Sequence, residues 1–129
     1  MVAYNFQKQF GDRIVDGSKN QTVRRTGKRR HANPGDMVQL YTGQRTTSCK
    51  KLVDDRTCLA REPIQIVIEE NSVAAIRILG KPITKTGYKT LEAFAIADGF
   101  ESLEAFHRFW RKFHGVGVFD GELIVWGEV

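Results

Sequence analysis

Four consecutive strand signals fill residues 37–79, with no helical period between them. Residues 37–42 set Val38 and Leu40 on one face and Met37, Gln39 and Tyr41 on the other. Residues 46–53 read as a second strand. Residues 63–70 carry Ile64, Ile66 and Ile68 at period two, the mark of a half-buried strand. Residues 73–79 pair back on them. The turn signals Gly43-Gln44, Asp54-Asp55, Asn71-Ser72 and Gly80-Lys81-Pro82 punctuate the run. Helices do not alternate strictly with strands along the chain, so a mostly antiparallel sheet is expected in preference to a doubly wound parallel one.

The flanks add helices and outer strands. Residues 2–6 open as a short strand. Phe6, Phe10 and Ile14 recur at spacing four, so residues 7–16 are expected to be helical, with Gly17 as the stop. Residues 21–25 alternate as a strand, residues 26–33 form a polar loop, and Pro34-Gly35-Asp36 turns the chain. Thr90 caps a helix over 91–98, ended by Asp98-Gly99, and Ser102 caps another over 103–114. In the latter Phe106, Phe109, Trp110 and Phe113 form an aromatic stripe that belongs in the core. His107 lies off that stripe, and His114 stands near the helix C-terminus, where positive charge is favoured. Residues 121–126 are an apolar, central final strand. The sum, six or seven short strands with three helices, is an α+β fold. A mostly antiparallel sheet or small barrel carries the helices, and barrel closure would hide the sheet edges.

The chain has 129 residues, enough for one domain, 1–129. Its longest apolar run is five residues, 93–97, against about 20 for a membrane-spanning helix. No secretory signal is visible in the first fifteen residues, so a cytoplasmic location is expected. Cys49 and Cys58 match no zinc spacing, and His31, His107 and His114 are scattered. They are read as free thiols of a reducing compartment, with no metal or other cofactor expected.

The formal net charge of +5 is unevenly placed. Residues 1–61 hold thirteen Lys/Arg against five Asp/Glu, a net +8; residues 62–129 hold seven against ten, a net −3. The densest part runs from Lys19 to Arg30, with six basic residues and no acidic one. Structural surfaces usually mix both signs, so this face points to an anionic partner, nucleic acid foremost.

The stretch Gly17-Ser18-Lys19-Asn20-Gln21-Thr22-Val23-Arg24 carries the chemistry. Thr22 and Arg24 share a strand face. Lys19 stands at an odd separation from Thr22 and can join it only if it still belongs to the turn after Gly17. A threonine hydroxyl attacks only when a base takes its proton. A lysine whose pKa is lowered by burial and by the charges of Arg24, Arg25 and Lys28 is such a base. By spacing alone, the same residues read first as polar groups on an exposed strand. Asp98 serves either as a turn former or as a site carboxylate, and Tyr41 faces either a cleft or the core.

This pattern resembles the ASCH domain, a branch of the PUA-like folds. Gly17, Lys19, Thr22 and Arg24 match its G-x-K-x-x-T-x-R element. The likeness continues, in order, through Pro34-Gly35-Asp36, Ala97-Asp98-Gly99-Phe100, the helix from Ser102 to Trp110 and the strand up to Trp126. The chain is most similar to the small stand-alone ASCH proteins of bacteria and their phages. The resemblance implies a PUA-like β-barrel with a cleft for RNA or a modified nucleoside. One branch hydrolyses the acetyl amide of N4-acetylcytidine, with the motif lysine and threonine and a glutamate proposed as catalytic. Lys19 and Thr22 match the first two, and Asp98, one methylene shorter, stands where the glutamate is expected. Another branch has been assigned ribonuclease activity.

The expected roles follow. Thr22 is nucleophile, Lys19 base and proton donor, and Asp98 holds the lysine or activates water. Arg24 positions substrate or stabilises developing negative charge. Arg25, Lys28, Arg29, Arg30 and Tyr41 bind the nucleic acid, the 26–30 loop clamping its backbone. The alternatives are a non-catalytic RNA-binding module, a metal-independent ribonuclease and an adaptor for an acidic protein.

Overall fold

A computed structural model describes residues 1–128. Among the described residues the chain folds as one mixed eight-stranded sheet with three helices. The strands are β1 (Val2–Phe6), β2 (Gln21–Arg25), β3 (Met37–Thr42), β4 (Lys50–Lys51), β5 (Arg56–Ile68), β6 (Val73–Ile78), β7 (Lys81–Pro82) and β8 (Gly117–Glu128). The helices are α1 (Gly11–Val15), α2 (Leu91–Ala97) and α3 (Leu103–His114). Among the described residues no helix is long and apolar enough to cross a membrane.

The spine is the antiparallel pair β5–β8, in register from Arg56↔Glu128 to Ile68↔Gly117. β2 lies on the far side of β8, with Thr22 opposite Ile124 and Arg24 opposite Glu122. On its other side β5 changes partner: its start meets β3, and residues 64–68 meet β6. Pro63 sits between the two, where a strand can lack a donor without breaking a ladder. β1 adds to β3 as the one parallel pair. Ile64, Ile66 and Ile68 are all buried, as their alternation predicts.

Two expectations fail on local chemistry. The predicted strand over 46–53 shrinks to β4. Gly43 and Arg45 both take positive φ, and Thr46 Oγ1 donates to the Gly43 carbonyl while accepting from the Ser48 amide. Such side-chain bonds offer the backbone an alternative to a ladder. Conversely, β5 begins seven residues earlier than its isoleucines announce. A register shift between Cys58 and Ala60 hides the alternation, turning Leu59 out to 58% exposure.

The sheet does not close into a barrel. β1 and β2 are never paired. The outward carbonyls of Ala3 and Asn5 on β1 instead accept from the guanidinium groups of Arg29 and Arg24. Arginine side chains therefore cover the edge that closure was expected to hide.

The opening helix splits into a 3-10 turn, Lys8–Phe10, followed by α1. α2 and α3 are capped as predicted, Thr90 Oγ1 accepting from the Ala93 amide at 3.0 Å and Ser102 Oγ from Ala105 at 3.1 Å. In the α3 stripe Phe106 and Trp110 are buried and Phe109 partly so, but Phe113 is 51% exposed. His107, off the stripe, is nevertheless buried, with Nε2 bonded to the Glu69 carbonyl at 2.8 Å. Phe10, Phe100, Phe106 and Phe109 meet edge to face and lock the 3-10 turn against α3.

Candidate functional site

A cleft of about 320 Å³ opens between β1, β2 and α3, and Lys19, Thr22, Arg24, Arg25 and Asp98 all line it. That size suits a small-molecule ligand. Its apolar walls include Phe6, Phe10, Phe109, Trp110 and Phe119.

Gly17 takes φ +86 and turns the chain out of α1. Lys19 then precedes β2, and its amide donates back to the Arg13 carbonyl at 2.9 Å. It thus belongs to the turn, which is the condition for sharing a cleft with Thr22. Lys19, Thr22 and Asp98 are only 3%, 5% and 4% exposed.

The lysine ammonium is well partnered. Nζ donates to the carbonyls of Gln21 at 2.7 Å and Asp98 at 2.5 Å, and lies 3.7 Å from Asp98 Oδ1. It also stands 5.0 Å from the Phe10 ring centre and 5.5 Å from that of Phe6. Asp98 ends α2 and also lines the cleft. The next residue, Gly99, has φ +98, and a Cβ there would lie 2.6 Å from Lys19 Cδ. Only glycine lets the lysine stem pass.

A relay supports the carboxylate. Tyr88 O–H donates to Gln21 Oε1 at 2.7 Å, and Gln21 Nε2 donates to Asp98 Oδ1 at 3.3 Å. Burial is the main force on both ionisable partners. It pushes the lysine pKa down against the attraction of Asp98, and the aspartate pKa up against the attraction of Lys19.

Thr22 and Arg24 do share a face. Arg24 Nε donates to Thr22 Oγ1 at 3.0 Å, and its Nη2 donates to the Asn5 carbonyl at 2.8 Å. The guanidinium lies over Phe6 and Tyr4, 4.8 and 5.1 Å from the ring centres. Burial first, and the charge of Arg29 second, lower its pKa to about 10. At neutral pH Arg24 remains a cation, and no carboxylate pairs with it among the described residues. No direct hydrogen bond joins Lys19 to Thr22 among those residues.

At the other end Arg25 lies over Phe119 and donates from Nη2 to His114 Nδ1 at 3.2 Å. His114 therefore carries its proton on Nε2. Its ring stacks on Trp110 with centroids 4.5 Å apart. Burial and Arg25 lower its pKa. Trp110, on the same wall, keeps its buried indole N–H without an acceptor among the described residues.

The remaining expected binding residues are not in this cleft. Arg29, Arg30 and Tyr41 line a separate groove beyond β1, so Tyr41 faces neither the cleft nor the core. Lys28 is exposed on the loop, outside both spaces. The loop is anchored by His31: Nε2–H donates to the Arg25 carbonyl at 2.9 Å, while Nδ1 accepts from Tyr4 O–H at 3.1 Å. The Tyr4 oxygen in turn accepts from the Ala32 amide.

Sequence reasoning missed Asn5, Gln21, Tyr88, Trp110, His114 and Phe119. Gln21 stood inside the motif and was open to notice. Trp110 was assigned to the core by its helical spacing, and His114 to a helix end. Nothing local marks Tyr88. Cys49 and Cys58 are free, the first exposed and the second buried. Compared with family models, curated proteins and solved structures, the chain finds no match, so the ASCH resemblance stands on the motif residues themselves.

Proposed function

We propose that the cleft binds the base of a modified nucleoside or of an RNA residue, in keeping with the ASCH resemblance. The observation that carries this reading is Arg24. It is a cation held over aromatic rings on a cleft wall, without a carboxylate partner, which suits a ligand that is anionic or rich in carbonyl oxygens. Phe109, partly exposed on the cleft wall, offers a base an apolar ring, stacking of this kind being worth about 1–3 kcal/mol per base.

A second reading, hydrolysis of an N4-acylated cytidine, is favoured by the presence of Thr22, Lys19 and Asp98 in the same cleft. Thr22 Oγ would attack the acyl carbon, its proton passing to a neutral Lys19 and then to the departing N4 amine. Water would release the acyl group from Thr22 as a carboxylic acid. Arg24, already at the hydroxyl, would hold the oxyanion. Lys19 would first have to exchange one carbonyl contact for Thr22, so binding is the primary proposal.

Binding is tested by titrating N4-acetylcytidine and cytidine while following Trp110 fluorescence, in a Trp126→Phe background that removes the core signal of Trp126. Saturable quenching that Arg24→Gln weakens is expected; no quenching by either nucleoside sinks the reading. Hydrolysis is tested by chromatography for cytidine. Turnover that survives Lys19→Ala rejects the catalytic scheme.

A further inference from the structure

The outer edge of β1 carries a second basic face. β1 pairs with β3 on one side only. On the other, its Ala3 and Asn5 carbonyls, about 6.6 Å apart by the rise of two strand residues, accept from Arg29 and Arg24. The two guanidinium groups lie 5.2 and 5.1 Å from the Tyr4 ring centre. Like charges this close repel, and after burial this repulsion is the next cause of the lowered Arg24 pKa. Among the described residues neither has a carboxylate partner, nor does Arg45. Carbonyl caps satisfy the hydrogen bonds but leave the charge uncompensated.

Beyond this edge lies a groove of about 950 Å³ lined by Arg29, Arg30, Arg45 and Tyr41, with the exposed Cys49 in its wall. Asn5 lines both this groove and the Lys19 cleft, so the two spaces meet there. Its Oδ1 accepts from the Gln44 amide at 2.9 Å, which ties the Arg45 turn to β1.

We infer that the ligand is read as part of a single nucleic-acid strand: one base enters the cleft, and the phosphates of adjoining nucleotides follow the edge of β1 past Arg29 to Arg45. Tyr41, partly exposed beside them, is the platform on which a neighbouring base stacks. This rests on the base-binding reading of the cleft and adds the strand that carries the base. A single strand fits because a base inside a duplex must first be flipped out to enter a cleft.

Cys49 reports on the groove independently of the cleft, since Cys58 is buried. The experiment compares a short single-stranded RNA containing one N4-acetylcytidine with the free nucleoside. It reads affinity by Trp110 fluorescence and anisotropy of end-labelled RNA, and groove occupancy by the rate of Cys49 alkylation. The RNA is expected to bind about tenfold or more tightly than the nucleoside and to slow alkylation, which the nucleoside leaves unchanged. Arg45→Asn keeps a residue type tolerant of the φ of 65° at this site. It should lower the ratio of RNA to nucleoside affinity and flatten the log K against log salt slope by about 0.7. Equal affinities, or RNA binding that leaves Cys49 fully reactive, overturn the inference. Protection of Cys49 by RNA without nucleoside quenching keeps the groove and rejects the cleft reading. Nucleoside quenching without protection does the reverse, and absence of all binding rejects both.

Discussion

Lys19 and Arg24 are both buried or half-buried cations in one cleft, five residues apart, yet they are held in opposite ways. Lys19 is enclosed by acceptors: two carbonyls, a carboxylate and two ring faces. Arg24 meets a carbonyl, a hydroxyl and two rings, with another arginine beside it. A desolvated charge needs partners. Lys19 has them within the fold, where it ties β2 to the end of α2. Arg24 has only neutral ones, so the anionic or carbonyl-rich ligand proposed above would complete its surroundings. The comparison separates a cation that holds the site together from one that faces outward.

The largest effect should come from Lys19→Met. It strands the Asp98 carboxylate and two buried carbonyls, and breaking a buried pair from one side costs about 3–5 kcal/mol. Urea unfolding checks this, and the double variant Lys19→Met/Asp98→Leu should recover part of the loss. A loss below about 1 kcal/mol would mean that Lys19 is not structural, and the contrast with Arg24 would collapse.

Arg24→Gln should do the opposite. Stability should fall by only about 1 kcal/mol, since the lost hydrogen bonds are to neutral groups. Nucleoside affinity should fall by about 1.5–3 kcal/mol, the scale of a hydrogen bond to a charged group. Paired calorimetric titration and urea unfolding would show the split. Equal losses in both would make Arg24 another structural cation.

Gly99 sharpens the structural half. Gly99→Ala meets both a φ of +98 and the Lys19 stem at 2.6 Å. We expect about 1–2 kcal/mol of destabilisation by thermal or urea unfolding, and a smaller cost from Gly35→Ala, where φ is +93 but nothing stands within 4 Å. An equal cost at both sites would place the effect in backbone strain alone and remove Lys19 from the explanation.

These contrasts mark what the residues alone could convey. Period two in Ile64, Ile66 and Ile68, and the caps Thr90 and Ser102, are local signals and read directly. The Lys19, Thr22 and Asp98 set was legible because a motif places two of its members three residues apart. The open seam was not, because whether β1 pairs with β2 depends on where Arg24 and Arg29 project after folding. The basic run from Lys19 to Arg30 looked like one surface. The fold divides it at the β1 edge, sending Arg24 and Arg25 into the cleft and Arg29 and Arg30 into the groove. His114 was hidden for a related reason: helical position explained it, and its partners Arg25 and Trp110 become neighbours only in three dimensions.

The smallest expected effect tests that last residue. Burial and the adjacent Arg25 lower the His114 pKa below its ordinary 6.5, so the unfolded chain binds the proton more readily. The stability it contributes is complete above pH 6.5 and is lost as pH falls from there through the folded-state value. Protonation also puts a hydrogen on Nδ1, which then repels the Arg25 donor instead of accepting from it. Wild-type stability should therefore decline from pH 7 to pH 5 more steeply than that of His114→Phe, which keeps a ring against Trp110 and does not titrate. Because His114 is exposed, solvent screening keeps the difference small. Nucleoside binding should weaken over the same interval, since a freed Arg25 no longer frames the end of the cleft. Identical pH profiles of stability and binding in the two proteins would reduce the Arg25–His114 contact to incidental packing and leave Arg24 alone as the outward-facing cation.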